Sequence, residues 1–134
     1  MRQEVINVKG YYANIEEETL ANSHFRKVLF TGKYQQLVVM NLKPGEDIGM
    51  EVHNHVDQFF RFEEGEAKVV IDSDEFLVHE DDVVIIPAGS KHNIINNSAT
   101  QELKLYTIYA PPNHPDGTVH KNKEEAVETE KEHE

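Results

Sequence analysis

The strongest constraint on the fold is a series of short apolar runs separated by turn residues. Runs rich in Val, Ile, Leu, Phe and Tyr alternate with turn sequences such as Pro44-Gly45, Glu64-Gly65 and Asn96-Asn97-Ser98. Short strands at this spacing are typical of an all-β sandwich or barrel. The predicted strands are Lys27–Thr31, Tyr34–Leu42, Phe59–Phe62, Ala67–Ile71, Glu75–Val78, Val83–Ile86, His92–Ile95 and Leu103–Tyr109.

The two ends of the chain have a different character from this central region. Residues 1–24 are predicted to form an N-terminal arm, in which Asn14 caps a short helical turn beginning with an acidic run. Residues 25–110 form the predicted barrel. Residues 111–134 are predicted to be an irregular arm, because three prolines interrupt any strand there, followed by a charged tail or a frayed helix.

Composition excludes several classes of function. The 134 residues suffice for one domain, and the absence of cysteine excludes disulfides, zinc–thiolate sites and cysteine nucleophiles. The formal net charge of −12 disfavours binding to nucleic acid, because such a surface repels phosphate. No apolar stretch is long enough for a signal peptide or a membrane span, so we expect a cytoplasmic protein that binds no membrane.

A first group of candidate functional residues surrounds His53 and His55. Two histidines at positions i and i+2 of a strand project to the same face, and imidazole is the most common metal ligand. Gln58 follows after a short turn and begins the next predicted strand. The alternative is that these are surface histidines beside a loop.

A second group follows the buried run Val83–Ile86. Pro87 and Gly89 predict a tight reversal, after which His92 begins the next strand. By itself, His92 could also be a structural histidine.

Taken together, the two groups resemble the two motifs of the cupin superfamily. Pro-x-Gly-x-x-His-x-x-x-Asn ends here at Asn96, and Asp81 stands where that family usually has glycine. In the first motif Gln58 takes the place of a glutamate, with Gly65 following after six residues, and the gap from His55 to Gln58 is one residue shorter than usual. The stretch from His53 to Arg61 is also similar to a subgroup of small cupins labelled mannose-6-phosphate isomerase-like.

This resemblance implies a double-stranded β-helix, the jelly-roll barrel of cupins, holding one divalent metal ion. The implied ligands are His53, His55, Gln58 and His92. Three imidazoles and a carboxamide are all neutral, so we expect a metal that keeps its full charge and acts as a strong Lewis acid. Nitrogen and oxygen ligands suit Zn, Fe, Mn, Ni, Co or Cu.

Strand parity predicts the rest of the barrel interior. If Gln58 and His92 point inward, then Phe60, Phe62 and Ile94 do so too, and they line an apolar pocket for a small organic ligand. The alternative is that they are core residues that fill the barrel. Arg61 has the opposite parity and is expected at the surface or in an interface.

Five further histidines lie outside these two motifs. His24, His79 and the tail residue His133 are expected to be solvated. His114 and His120 flank Pro115-Asp116-Gly117-Thr118, and the arm that carries them is placed to fold back over the barrel mouth.

Three functions fit these features. The first is a metal-dependent enzyme acting on a small molecule, either a dioxygenase or a sugar-type isomerase; for the isomerase, Glu51 and Asp57 are the nearest candidate bases. The second is a non-catalytic ligand-binding module with a weak or empty metal site, and the third is a dimeric scaffold with a vestigial site. We expect a homodimer, in which Glu4–Val8 could be an exchanged strand.

Overall fold

The structure is a computed structural model that describes residues 9–132. Within these residues the chain forms ten strands and two helices. Their bounds are α1 Ile15–Ala21, β1 Arg26–Thr31, β2 Gln36–Leu42, β3 Glu51–Val52, β4 Asp57–Glu64, β5 Glu66–Ile71, β6 Asp74–His79, β7 Val83–Ile86, β8 Lys91–Asn96, β9 Leu103–Ala110, β10 Val119–His120 and α2 Lys123–Glu132. The segment Glu4–Val8 and residue His133 lie outside the described residues.

The strands form two antiparallel sheets. One has six strands in the order β10-β1-β2-β9-β4-β7, and the other has four in the order β3-β8-β5-β6. Neighbours such as β4 and β9 are far apart in sequence, as expected when a chain winds back and forth between two sheets. The predicted all-β double-stranded β-helix is confirmed.

Alternating burial along the strands defines the barrel interior. In β9, Leu103, Leu105, Thr107 and Tyr109 are buried, and the residues between them are partly exposed. The opposing strand β4 buries Gln58, Phe60 and Phe62 in the same way. Because β4 and β9 are paired, their inward side chains share one interior.

The predicted pocket residues lie in the apolar core. Phe60, Phe62 and Ile94 are at most 1% exposed and belong to the buried cluster that also contains Met40 and Leu105. The rings of Phe60 and Phe62 stack with their centroids 6.4 Å apart. The structure therefore places them as barrel-filling residues, which was the alternative interpretation of their parity.

The described segments on either side of the barrel pack against it. Asn14 caps α1, since its Oδ1 accepts a hydrogen bond from the backbone N–H of Glu17, and α1 contacts β2, β4 and β9. The C-terminal arm is more regular than expected, because β10 pairs with β1 and α2 follows it. No helix among the described residues is long and apolar enough to cross a membrane.

Candidate metal centre

Two strands from different parts of the chain bring the candidate ligands together. The short strand β3 pairs with β8 so that Glu51 lies directly opposite His92. His53 follows Glu51 by two residues. One ligand atom from each of Glu51, His53 and His92 lies within 4.8 Å of the others, so the three form a group that could hold a metal ion.

The predicted reversal before β8 fixes the position of this group. Gly89 has a φ of 93° and donates its backbone N–H to the carbonyl of His53 at 2.8 Å. The carboxylate of Asp57 accepts a hydrogen bond from the N–H of Ala88 at 2.8 Å. The Pro-x-Gly turn therefore ties the two motifs to each other, and Asp57 serves this turn instead of facing the metal group.

The donor atoms of the two histidines are free to bind a cation. Nε2 of His53 and Nε2 of His92 are both buried without a hydrogen-bond partner in the described part of the chain. The Nδ1 of His92 lies 3.0 Å from the carbonyl of Ser90, which orients the ring and leaves Nε2 with its lone pair. Oε1 of Glu51 is 3.3 Å from Nε2 of His53 but is not aligned for a hydrogen bond. Because buried polar atoms are normally paired, this donor set fits a metal ion.

Gln58 lies in the same interior, on strand β4 of the six-stranded sheet. Its side chain is buried, and its Nε2 donates to Oγ1 of Thr107 at 3.0 Å. Its Oε1 is buried without a partner among the described residues. Gln58 faces Tyr109 across the sheet, and the Tyr109 ring lies 6.1 Å from the His53 ring. Gln58 is thus a further candidate oxygen donor beside the three-residue group.

The structure does not bring His55 to this group. Strand β3 ends at Val52, and His55 is an exposed residue in the turn that follows. The rule that residues i and i+2 share a face holds for Glu51 and His53, where the strand begins, but not for His53 and His55. The sequence offered Glu51 at the same spacing, but sequence reasoning considered it only as a base. The group therefore contains a carboxylate, in contrast to the neutral set expected from the sequence.

A second set of polar side chains lies beside His53 and begins with Tyr109. Nε2 of His114 lies 3.2 Å from the hydroxyl of Tyr109. The arm is held there by Gln36, which accepts from the N–H of His114 and donates to its carbonyl. His120, the other arm histidine, is buried and its Nδ1 accepts from Arg26. The C-terminal arm therefore packs against the barrel interior through both histidines.

The environment of these groups shifts their protonation. Burial raises the pKa of the Tyr109 hydroxyl to about 12, an effect partly offset by the nearby Arg26. Burial, reinforced by the positive charge of Arg26, lowers the pKa of His114 to about 3. The same two causes lower the pKa of His120. At neutral pH, Tyr109 is therefore protonated and His114 is neutral.

Sequence comparisons identify relatives over most of the chain. The family model described as Cupin domain (Cupin_2) matches residues 38–109. The uncharacterized protein YrkC of Bacillus subtilis (strain 168) is 48% identical over 128 residues, covering 91% of this chain and 68% of YrkC. The uncharacterized protein L612 of Acanthamoeba polyphaga mimivirus is 46% identical over 112 residues, covering 81% of this chain and 70% of L612.

A comparison of folds gives the same result. The crystal structure of BH2720 from Bacillus halodurans matches with a TM-score of 0.87 and 44% sequence identity, covering 90% of this chain and 95% of that one. The family model spans more than half of the 134 residues. Sequence, fold and the two motifs therefore agree, and the chain belongs to the cupin family.

Proposed function

We propose that this cupin binds one divalent transition-metal ion through Glu51, His53 and His92, with Gln58 as a further oxygen ligand. The observation that carries the proposal is the pair of buried, unpartnered imidazole nitrogens beside a carboxylate. Zn, Fe, Mn, Ni, Co and Cu all accept such nitrogen and oxygen ligands. When bound, the metal would supply Lewis-acid or redox chemistry to a small organic molecule in the barrel.

Among the reactions open to such a site, we favour a dioxygenase type, in which both atoms of O₂ enter the substrate. An isomerase must move a proton between substrate carbons and needs a group that titrates near neutral pH. Of the candidate bases, Glu51 belongs to the proposed ligand set and Asp57 binds the backbone N–H of Ala88. Tyr109, with a pKa of about 12, and His114, with a pKa of about 3, do not meet this need. They suit hydrogen bonding to a substrate instead. The finer resemblance to the mannose-6-phosphate isomerase-like subgroup is therefore the less supported alternative.

Metal analysis of paired histidine variants tests the proposed centre. His92→Ala removes a buried ligand, whereas His55→Ala makes the same chemical change at an exposed position outside the group. After loading with a divalent metal and desalting, we expect near-stoichiometric metal in the wild type and in His55→Ala. His92→Ala should retain less than about a tenth of it, since removal of a ligand weakens binding strongly. Equal loss in both variants would contradict the proposed ligand set.

Oxygen uptake tests the reaction. The metal-loaded protein should consume O₂ with at least one member of a panel of catechols, flavonols and diketones, and His92→Ala should not. The remaining alternative is a non-catalytic binding module. It predicts a weakly occupied or empty metal site and saturable binding of a small ligand, with no oxygen uptake and no isomerised product.

A further inference from the structure

The barrel interior contains a buried guanidinium group that sequence reasoning did not single out. Arg26, at the start of β1, is 1% exposed and is the largest of the fully buried side chains. Its NH1 lies 3.2 Å from Nδ1 of His120, and it is within hydrogen-bonding reach of the Tyr109 hydroxyl. Its Nε is buried without a hydrogen-bond partner among the described residues.

Within the described part of the chain, no neighbour of Arg26 neutralises its charge. None of the ion pairs formed within residues 9–129 involves Arg26. Its polar contacts are a tyrosine and a histidine, and the pKa of that histidine, His120, is lowered partly by Arg26 itself. The surface arginine Arg61 provides a contrast, because it lies close to both Glu63 and Asp81. Among the described residues, the side chains that Arg26 contacts through hydrogen bonds are therefore neutral, and no carboxylate forms an ion pair with it.

A buried guanidinium without a counter-charge indicates a binding site for an anion. Burying an ionised group without a counter-charge is strongly unfavourable, and arginine is always charged in proteins. Tyr109 contacts both Arg26 and the His53 ring, and it therefore lies between the guanidinium and the proposed metal ligands.

We propose that Arg26 is the anion-binding subsite of the barrel and that the small molecule bound there carries a carboxylate. The carboxylate pairs with the guanidinium, and the Tyr109 hydroxyl donates a further hydrogen bond to it. In relation to the metal centre the proposal rests on the proposed function, because it places the other end of the same molecule beside His53 and His92. The planar fork of arginine matches a carboxylate in shape and in number of donors.

The number of charges favours a carboxylate over a phosphate group. One guanidinium neutralises one negative charge. A phosphate dianion would place a second charge near Tyr109, on the side where Glu51 already contributes negative potential. His114 and His120 stay neutral because their pKa values are lowered, so they do not supply the missing cation.

An NMR titration tests this subsite on the 134-residue chain. The Arg26 Nε–H resonance is followed while acetate or pyruvate is added, with acetamide as the neutral match of acetate and inorganic phosphate as a separate arm. We expect a saturable shift with the carboxylates, with a Kd in about the millimolar range, and at least about tenfold weaker binding of acetamide. Acetamide binding as well as acetate, phosphate binding more tightly than both carboxylates, or no saturable shift up to about 50 mM would each overturn the proposal.

Variants provide a second measurement. Calorimetry on Arg26→Gln should show carboxylate affinity reduced at least about tenfold, whereas Arg61→Gln, the same change at the surface, should stay within about twofold of the wild type. Unchanged affinity in Arg26→Gln would overturn the proposal. If Arg26→Gln does not fold, the wild-type Nε–H titration decides.

Running both experiments on zinc-loaded and metal-free protein separates this proposal from the proposed function. Zinc binding without Arg26-dependent carboxylate binding would overturn the anion subsite and leave the metal centre standing. Arg26-dependent carboxylate binding in a protein that takes up no zinc would support the subsite and contradict the metal centre.

Discussion

At the scale of single residues, the membership of the proposed metal centre depends on where a two-residue strand ends. His53 and His55 look equivalent in the sequence, yet His53 still follows the direction set by β3 while His55 lies in an exposed turn. The sequence shows a carboxylate at Glu51, but it does not show that this carboxylate lies beside the two histidines. Only the pairing of β3 with β8 places that carboxylate beside both imidazoles, because Glu51 and His92 are 41 residues apart in the sequence.

Buried polar residues were also beyond the reach of local sequence patterns. Arg26 stands in a run of mixed polarity, and parity alone does not distinguish an inward arginine from an outward one. Its inward position follows from the pairing of β1 with β10, which puts Arg26 opposite His120. The arm histidines become interpretable only once that pairing is known.

His114 should make the stability of the protein depend on pH. Its pKa is about 3 when folded and near 6.5 when unfolded, so the unfolded chain binds the extra proton between these values. The contribution of neutral His114 is therefore complete above about pH 6.5 and is lost as the pH falls toward about 3. Between pH 7 and pH 4, the wild type should lose on the order of 2 kcal/mol more unfolding free energy than His114→Gln, a figure discounted for partial exposure.

Urea unfolding at the two pH values measures this difference. His79→Gln is the matched control, because it removes an exposed imidazole without altering the barrel interior. Equal losses in the wild type and in His114→Gln would show that His114 is not buried as a neutral group.

At the scale of elements, the family motifs turn out to combine site residues with residues that shape the backbone. Asn96, the last residue of the second motif, donates to the carbonyls of Leu42, Lys43 and Gln101 and thereby joins three segments. Asp81, which replaces the usual glycine, has a φ of 75°, a conformation that aspartate tolerates better than most residues. Both positions are structural, although the sequence presents them beside the ligands.

The elements that the sequence predicted are those with local signals. The longer strands have apolar runs bounded by turn residues, and they appear within a few residues of the predicted bounds. Strands β3 and β10 have only two residues each, too few for any periodic pattern, and they form because longer strands offer them a partner. Short strands of this kind carry Glu51 and His120, so the site was less predictable than the barrel.

Gly65 tests the backbone role of the first motif. A Cβ atom at Gly65 would lie 2.6 Å from the carbonyl oxygen of Glu102, and its φ is +98°. Gly117 also has a positive φ, +77°, but a Cβ there would meet nothing within 4 Å. We expect Gly65→Ala to cost about 3 kcal/mol or more, because strain and a backbone clash add, and Gly117→Ala about 1 kcal/mol from strain alone.

Urea unfolding at pH 7 compares the two variants, with the metal content of each measured in parallel. A cost for Gly65→Ala no greater than that for Gly117→Ala would mean that the turn can move away from Glu102 without loss.

At the scale of the whole molecule, one side of the barrel exposes large apolar side chains on two edge strands. Strands β6 and β7 are edge strands of their two sheets, and most of their side chains are exposed. Four large apolar residues are among them: Phe76, Leu77, Val83 and Ile85, which are 45–64% exposed. A surface depression runs between the two strands. Open edges and apolar patches of this kind favour association with another chain.

This surface is therefore the interface that we predict for the expected homodimer. We predict that two copies associate through β6 and β7, since burial of these apolar side chains on both copies supplies the driving force. Sedimentation should give roughly twice the chain mass of 15.4 kDa for the wild type and the chain mass for the double variant Leu77→Lys with Ile85→Lys. Tyr34→Lys with Val127→Lys, which alters exposed apolar residues elsewhere, should remain dimeric. A monomeric wild type would contradict dimer formation itself, and a dimeric Leu77→Lys, Ile85→Lys variant would exclude this face.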